Sequence, residues 1–320
     1  MIVTKLTEAF GLRHPIVLAP MGGVAGGRIA AAVSNAGGLG LVGGGYGDRE
    51  WIARELAIAK DGTRGPWGIG FITWSMRREV LDLALAQRPR AVMLSFGDPR
   101  PHAGAIKDAG CMLICQVQGE DEARLAQEAG ADFIVAQGTE GGGHGGSRST
   151  LPLVPAVVDW AAPTPVIAAG GIVDGRGLAA ALMLGAEGAL IGTRFCASDE
   201  ALGRERQKER LVAARGGDTA RTRVFDIVRG YDWPVPYTGR ALRNRFTTQW
   251  DGREDALAAA LDIERMRYRT AADEDDYETA LVWAGEGVDL VKSVEPAATL
   301  VARIAAEAEE RLRVGVRHVR

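Results

Sequence analysis

The sequence predicts a closed (β/α)8 barrel, a TIM barrel, with a helical insertion after the eighth strand. Three observations carry this. Between residues 15 and 192, eight short apolar runs alternate with amphipathic stretches. The 43 glycines gather at the ends of apolar runs and form no periodic repeat. Beyond residue 198 the texture shifts to helical patterns dense in Arg, Asp and Glu, followed by a closing helix.

The first unit is "PIVLAP" followed by the helix-like "GGRIAAAVSNAG". "GLGLVGG" leads into "DREWIARELAIAK", and "WGIGFIT" into "REVLDLALAQR". "AVMLSFG", "CMLICQV" (with "DEARLAQEAG" behind it), "DFIVAQG", "PVIAAGG" and "GALIGT" complete the series. Continuous apolar strands between amphipathic helices imply a parallel sheet covered on both faces. Eight such units favour closure into a barrel over an open doubly wound sheet. From about residue 199 to 277 run patterns such as "ERQKERLVAA" and "REDALAAALDIERMRY", and "WAGEGVDLVKSVEPAATLVARIAAEAEERL" reads as a turn and the last barrel helix. Residues 1–198 and 284–320 are therefore assigned to the barrel. Residues 199–283 are assigned to the insertion, placed as a lid at the C-terminal face, where barrel active sites lie.

At 320 residues, 47% hydrophobic and 25% charged, the chain reads as one large globular domain with an insertion. A net charge of −3 offers no basic footprint for nucleic acid. No apolar run approaches membrane length, and "MIVTKLTEAFGLRHP" holds no signal-peptide core, so a cytoplasmic protein away from membranes is expected. Cys111 and Cys115 fall four steps apart on a strand, roughly 13 Å and beyond disulfide reach. The four histidines are scattered without metal-ligand spacing, so a reduced, metal-free chain is expected.

The residues just after each run form the expected rim. They are Met21 to Gly23, Gly43 to Gly45, Thr73, Gly97, Gln116, Gln137 to His144, Gly170 and Gly171, and Gly192 and Thr193. Nearly bare of charge and rich in backbone N–H, this rim suits a phosphate and a flat heterocycle. Loops after the seventh and eighth strands, with a short helix N-terminus, are the usual barrel phosphate site. Here "VIAAGGIVDGRG" and "LIGTRF" supply them, with a helix starting at Asp174 and a hydroxyl on Thr193. Arg176 and Arg194 add either phosphate charge or structural ion pairs. Tyr46 and Trp74 are expected to pack. "GGGHGG" sets His144 among five glycines, which remove side chains and let something approach closely. A histidine so placed serves as a base when neutral and binds an anion when protonated.

"HPIVLAPMGGVAGGRIAAAVSNAGGLG", "GTEGGGHGG" and "VIAAGGIVDGRGLAAALMLGAEGALIGTRF" together resemble the nitronate monooxygenase (2-nitropropane dioxygenase-like) family of FMN barrels. The resemblance spans about residues 15–198 and resumes at "AGEGVDLVKSVEPAATLV". It implies bound FMN, with the backbone of Ala19, Pro20, Met21 and Gly22 facing the flavin ring. By the same resemblance Gly170, Gly171, Gly192 and Thr193 cradle the phosphate, Gly141, Gly142 and Gly143 pack against the cofactor, and His144 is the active-site histidine. Gln137 belongs to the same cofactor-binding rim. Two positions depart from the family pattern: Gly70 stands where many members carry Asn, and Gln116 where many carry Lys. The implied activity is oxidation of alkyl nitronates, and of nitroalkanes, with O2. An NAD(P)H-dependent reductase of enoyl thioesters or quinones and a non-catalytic flavin-binding barrel are the alternatives. The partners are a small-molecule substrate and O2, and a homodimer is left open.

Overall fold

The structure, a computed structural model, describes residues 1–318, with side chains as far as Arg317; residues 319 and 320 of the assigned barrel segment lie outside the described residues. Eleven strands form among the described residues. They are β1 (Ile16–Leu18), β2 (Gly40–Gly43), β3 (Trp67–Ile72), β4 (Ala91–Ser95), β5 (Met112–Val117), β6 (Phe133–Gln137), β7 (Gly143–Gly145), β8 (Val166–Ala169), β9 (Ala189–Ile191), β10 (Thr219–Thr222) and β11 (Thr238–Leu242). Eight of them pair in parallel in the order β1-β9-β8-β6-β5-β4-β3-β2. The ring closes where Leu18 N–H donates to Leu39 O and Leu39 N–H to Ile16 O, both at 2.9 Å. These eight strands are the eight apolar runs, and the fold is a TIM barrel.

Strand alternation divides the apolar residues into two layers. Val17, Leu41, Met93, Ile114, Val135, Ile167 and Leu190 point inward and fill the barrel. Ile16, Leu18, Val42, Val92, Leu113 and Ile134 point outward under the helices. At the N-terminal end the helix Lys5–Phe10 closes the barrel, pressing Leu6 and Phe10 into the inner layer. Its start is fixed by a capping box between Thr4 and Thr7. The opposite end is left to the rim residues.

The helices are locked by local chemistry. Buried Glu55 lends Oε2 to the N–H of Gly27 at 2.9 Å, satisfying an orphan donor at the start of the helix Gly27–Asn35. Asp174 caps the helix Gly175–Met183 through the N–H groups of Arg176 and Gly177. The closing helix Ala297–Gly315 packs on that helix, and its Glu307 bonds the N–H of Gly175 at 3.1 Å. None of the helices is long and apolar enough to cross a membrane among the described residues.

The segment 199–283 is helical as expected, with Glu205–Ala213, Val224–Arg229, Arg245–Trp250, Glu254–Ala259 and Leu261–Asp273. It also carries β10 and β11, which its charge-dense texture did not reveal. These two strands join β7 of the glycine loop in a three-stranded antiparallel sheet, with Gly239 opposite His144. The inserted segment is thereby hydrogen-bonded to the loop that carries the histidine.

Candidate active site

A cavity of about 430 Å³ opens at the C-terminal end of the barrel. That is the size of a pocket for a small organic ligand. Ala19 to Gly22, Gly70, Gln116, Gln137, Gly141 to His144, Gly170, Gly171, Gly192 and Thr193 line it, whereas Thr73, Gly97 and residues 138–140 of the expected rim do not. Gln116 lies two residues beyond inward-facing Ile114, so it takes the next inward position on β5 rather than the barrel wall. Its Nε2 donates to Gln137 Oε1 at 2.9 Å, and Gln137 Nε2 donates to the carbonyl of His144 at 3.1 Å. At Gly70 a Cβ would come within 2.3 Å of the Pro20 ring, so no side chain fits there.

The cradle at β8 and β9 fits a phosphate by its donor chemistry. Gly170 and Gly171 both have positive φ, +101° and +71°, a conformation that turns successive N–H groups toward a common point. Among the described residues the amides of Gly171, Gly192 and Thr193 find no backbone acceptor. The Thr193 hydroxyl accepts from the N–H of Gly285 at 3.0 Å, which leaves its own proton to donate. The two arginines of these loops are spent elsewhere. Arg194 is buried against Ser293 O and Glu295, and Arg176 pairs with Asp174. An anion placed there would be met by backbone and hydroxyl donors alone.

The loop around His144 has a different logic from the one its glycines suggest. A Cβ on Gly142 would meet the backbone of Ala284 and Gly285 at 2.7 Å, so that glycine admits the returning chain. Two arginines of the added strands, half-buried Arg221 and buried Arg240, then tie the loop down through its carbonyls. Arg221 donates to Thr139 O (3.0 Å) and Gly145 O (2.7 Å), and Arg240 to Thr139 O (2.9 Å). Burial, with the neighbouring Arg240 charge, brings the Arg221 guanidinium down to about 10.

His144 itself is 9% exposed and held on three sides. Its Nε2 meets Asp226 Oδ2 at 2.9 Å, and Asp226 is buried on the insertion helix Val224–Arg229. Trp233 lies flat on the imidazole, centroid to centroid 3.4 Å and tilted by 6°. Trp283 stands edge-on at 5.1 Å. A carboxylate only accepts, so Nε2 carries the proton and Nδ1 presents a lone pair. Nδ1 has no protein partner, nor is it among the sealed, unsatisfied nitrogens. Burial holds the imidazole below its usual value, with Asp226 opposing that shift. At neutral pH the ring is therefore a neutral base with one available nitrogen.

Sequence reasoning missed the insertion's share of the site: Asp226, Arg229, Tyr231 and Trp233, and Trp283 at the insertion's end. Their signal was aromatic density in "VFDIVRGYDWPVPY", unusual within a charge-rich stretch. Tyr46, expected to pack, lines the cavity and accepts from Trp233 Nε1 at 2.8 Å.

The barrel and its backbone-rich rim suit a flavin-dependent oxidoreductase, the class to which the chain's relatives also point. A nitronate monooxygenase family model matches residues 3–76 and 72–307. The chain is 33% identical to a Neurospora crassa nitronate monooxygenase, over 97% of this chain and 94% of that protein. It is 37% identical to a Mycobacterium tuberculosis (3aS,4S,5R,7aS)-5-hydroxy-7a-methyl-1-oxo-octahydro-1H-indene-4-carboxyl-CoA dehydrogenase, over 69% of this chain and 63% of the relative's length. Among solved structures, FabK from Thermotoga maritima superposes with a TM-score of 0.89 at 30% identity, covering 100% of both chains. The chain belongs to the nitronate monooxygenase family.

Proposed function

We propose that the protein is an FMN-dependent nitronate monooxygenase that oxidises alkyl nitronates, and nitroalkanes after deprotonation, with O2. The observation that carries this reading is His144: a neutral imidazole oriented by Asp226, with one unbonded nitrogen, on the wall of a cavity built largely of backbone donors. Nitronate oxidation asks for little else from side chains. The phosphate belongs in the cradle of Gly170, Gly171, Gly192 and Thr193, and a single cradle fits FMN rather than a dinucleotide. The ring belongs against Ala19 to Gly22, with Gln116 and Gln137 at its polar edge.

When bound, the flavin supplies a two-electron acceptor that O2 reoxidises. His144 Nδ1 removes the acidic α-proton of a neutral nitroalkane, and Asp226 stabilises the imidazolium that forms. For a preformed nitronate no proton is removed, and the ring holds the anion only when Nδ1 is protonated. Trp233 holds the imidazole plane and keeps water from that face. The segment 199–283 serves as the lid, since it delivers Asp226 and Trp233 over the barrel mouth.

Mixing the purified, flavin-loaded protein anaerobically with ethylnitronate, nitroethane or NADPH tests the reading. Fast bleaching by ethylnitronate, with slow or no bleaching by NADPH, is the expected result. Fast bleaching by NADPH alone would assign a reductase instead.

A further inference from the structure

We propose that Arg229 is the anion-selecting residue of this cavity, receiving the negative charge of the substrate and setting the preference for anionic over neutral donors. This goes beyond the family reading, which places no role on the insertion's charged groups, and it rests on that reading for the donors it compares. Arg229 ends the helix Val224–Arg229 and lines the cavity, half-buried. Its Nη1 is sealed without an acceptor, whereas Nε and Nη2, equally without a partner, are not sealed and are the donors left for a ligand. Of the two carboxylates three residues away in sequence, Asp226 is given to His144 and Asp232 is exposed. No other group takes its place: among the described residues none of the guanidinium's donors finds a bond. A charge set partly inside a protein without a partner is costly, and such groups are paired as a rule.

The surroundings fix the guanidinium for a ligand rather than for the fold. Its carbon lies 4.8 Å over the ring of Tyr231, and Tyr231 stacks on Tyr46 at 3.7 Å and 6°. This stack holds one face of the guanidinium and leaves its edge, where the N–H groups are, for a planar anion. The Tyr46 hydroxyl accepts from Trp233, so its own proton is also available at the cavity wall. A cation, a hydroxyl and the His144 edge thus share the wall of one cavity, whose one carboxylate, Asp48, is exposed and caps the N–H of Trp51. Charge on the substrate is the chemistry that satisfies them.

One other account must be separated from this. Asp226 Oδ1 is also sealed and unpartnered, and a water-bridged pair between Asp226 and Arg229 would make the arginine a support for His144. The two accounts differ in which substrate suffers. Arg229→Gln and Arg229→Lys, as holoproteins, are compared on ethylnitronate and on nitroethane. A hydrogen bond to a charged group is worth about a factor of ten or more. On that basis Arg229→Gln raises KM for the nitronate about tenfold more than it changes kcat/KM for nitroethane, and Arg229→Lys recovers part of it. An equal loss on both, or a larger loss on nitroethane, overturns the proposal in favour of the supporting role. Nitrate binding to the holoprotein, read by tryptophan quenching, gives an arm without turnover: affinity falls about tenfold in Arg229→Gln, and unchanged affinity overturns the proposal. If the wild type oxidises neither donor, the nitronate reading fails while the nitrate arm still decides Arg229.

Discussion

Replacing Asp226 with Asn tests the orientation of the histidine most directly. The carboxylate meets Nε2 at 2.9 Å, with both partners more than nine-tenths buried, so solvent does not replace the lost contact. The amide keeps the shape but removes the charge, and its NH2 favours a ring protonated on Nδ1, the nitrogen needed as a base. A hydrogen bond to a charged group is worth about 1.5–3 kcal/mol, a factor of about 10–150. Asp226→Asn should therefore lower kcat/KM for nitroethane within that range. Ethylnitronate needs no proton removed and should lose far less. Because Asp226 opposes the burial shift on His144, its removal also moves the acidic limb of the nitroethane profile to lower pH. Stability should change little, since the variant also relieves an unpartnered buried carboxylate oxygen. Stopped-flow flavin reduction across pH with both donors measures all of this. Equal losses on the two donors, or an acidic limb that moves upward, would refute the reasoning.

His144→Ala should keep FMN, whose contacts are backbone, and lose about 10²–10⁴ in nitroethane turnover; wild-type rates on nitroethane would make the residue structural. Gln116→Lys should raise the two-electron flavin potential, read by spectroelectrochemical titration. One charge at about 4 Å and an effective dielectric near 20 gives at most ~4 kcal/mol, or ~90 mV for two electrons. Gly171→Ala places a side chain at φ +71° and a Cβ 3.2 Å from that of Glu140, so it should cost about 1–2 kcal/mol and weaken FMN retention on dilution. His144 also couples stability to pH. The unfolded chain takes up this proton near pH 6.5 and the folded protein only below it, so stability is full above 6.5 and falls as pH drops through that interval. Denaturant titrations of wild type and His144→Gln should therefore diverge below pH 6.5.

The barrel was legible because its signal is repeated. Each strand is buried on both faces, so it reads as an unbroken apolar run, and eight such runs leave few architectures open. The glycine turn after β8 was legible for a related reason. Gly170 and Gly171 need positive φ, which confines the choice of residue, and their place after β8 is set by the count of units. Gln116 could be placed by counting because inward and outward residues alternate without a bulge from Ile114 to Gln116.

The histidine shows where this kind of reading stops. Its glycine setting was visible, but the glycines were credited to a ligand, whereas Gly142 makes room for the chain at Ala284 and Gly285. The group that would orient His144 as a base, Asp226, lies 82 residues away. That distance follows from the architecture. β7 is three residues long and offers the inserted strands a backbone edge, so the partner is recruited by sheet pairing and not by any local spacing. The strands that deliver it are masked for the same reason: "TART" and "TGRAL" place polar and glycine residues where half-buried Arg221 and buried Arg240 bond carbonyls of the loop. A sheet held by side chain-to-backbone bonds carries no apolar alternation to detect. Under the proposed function the barrel would position the flavin and the insertion would supply the carboxylate that orients His144; substitutions on β10 and β11 should therefore reach turnover through the tautomer of His144 rather than through FMN binding.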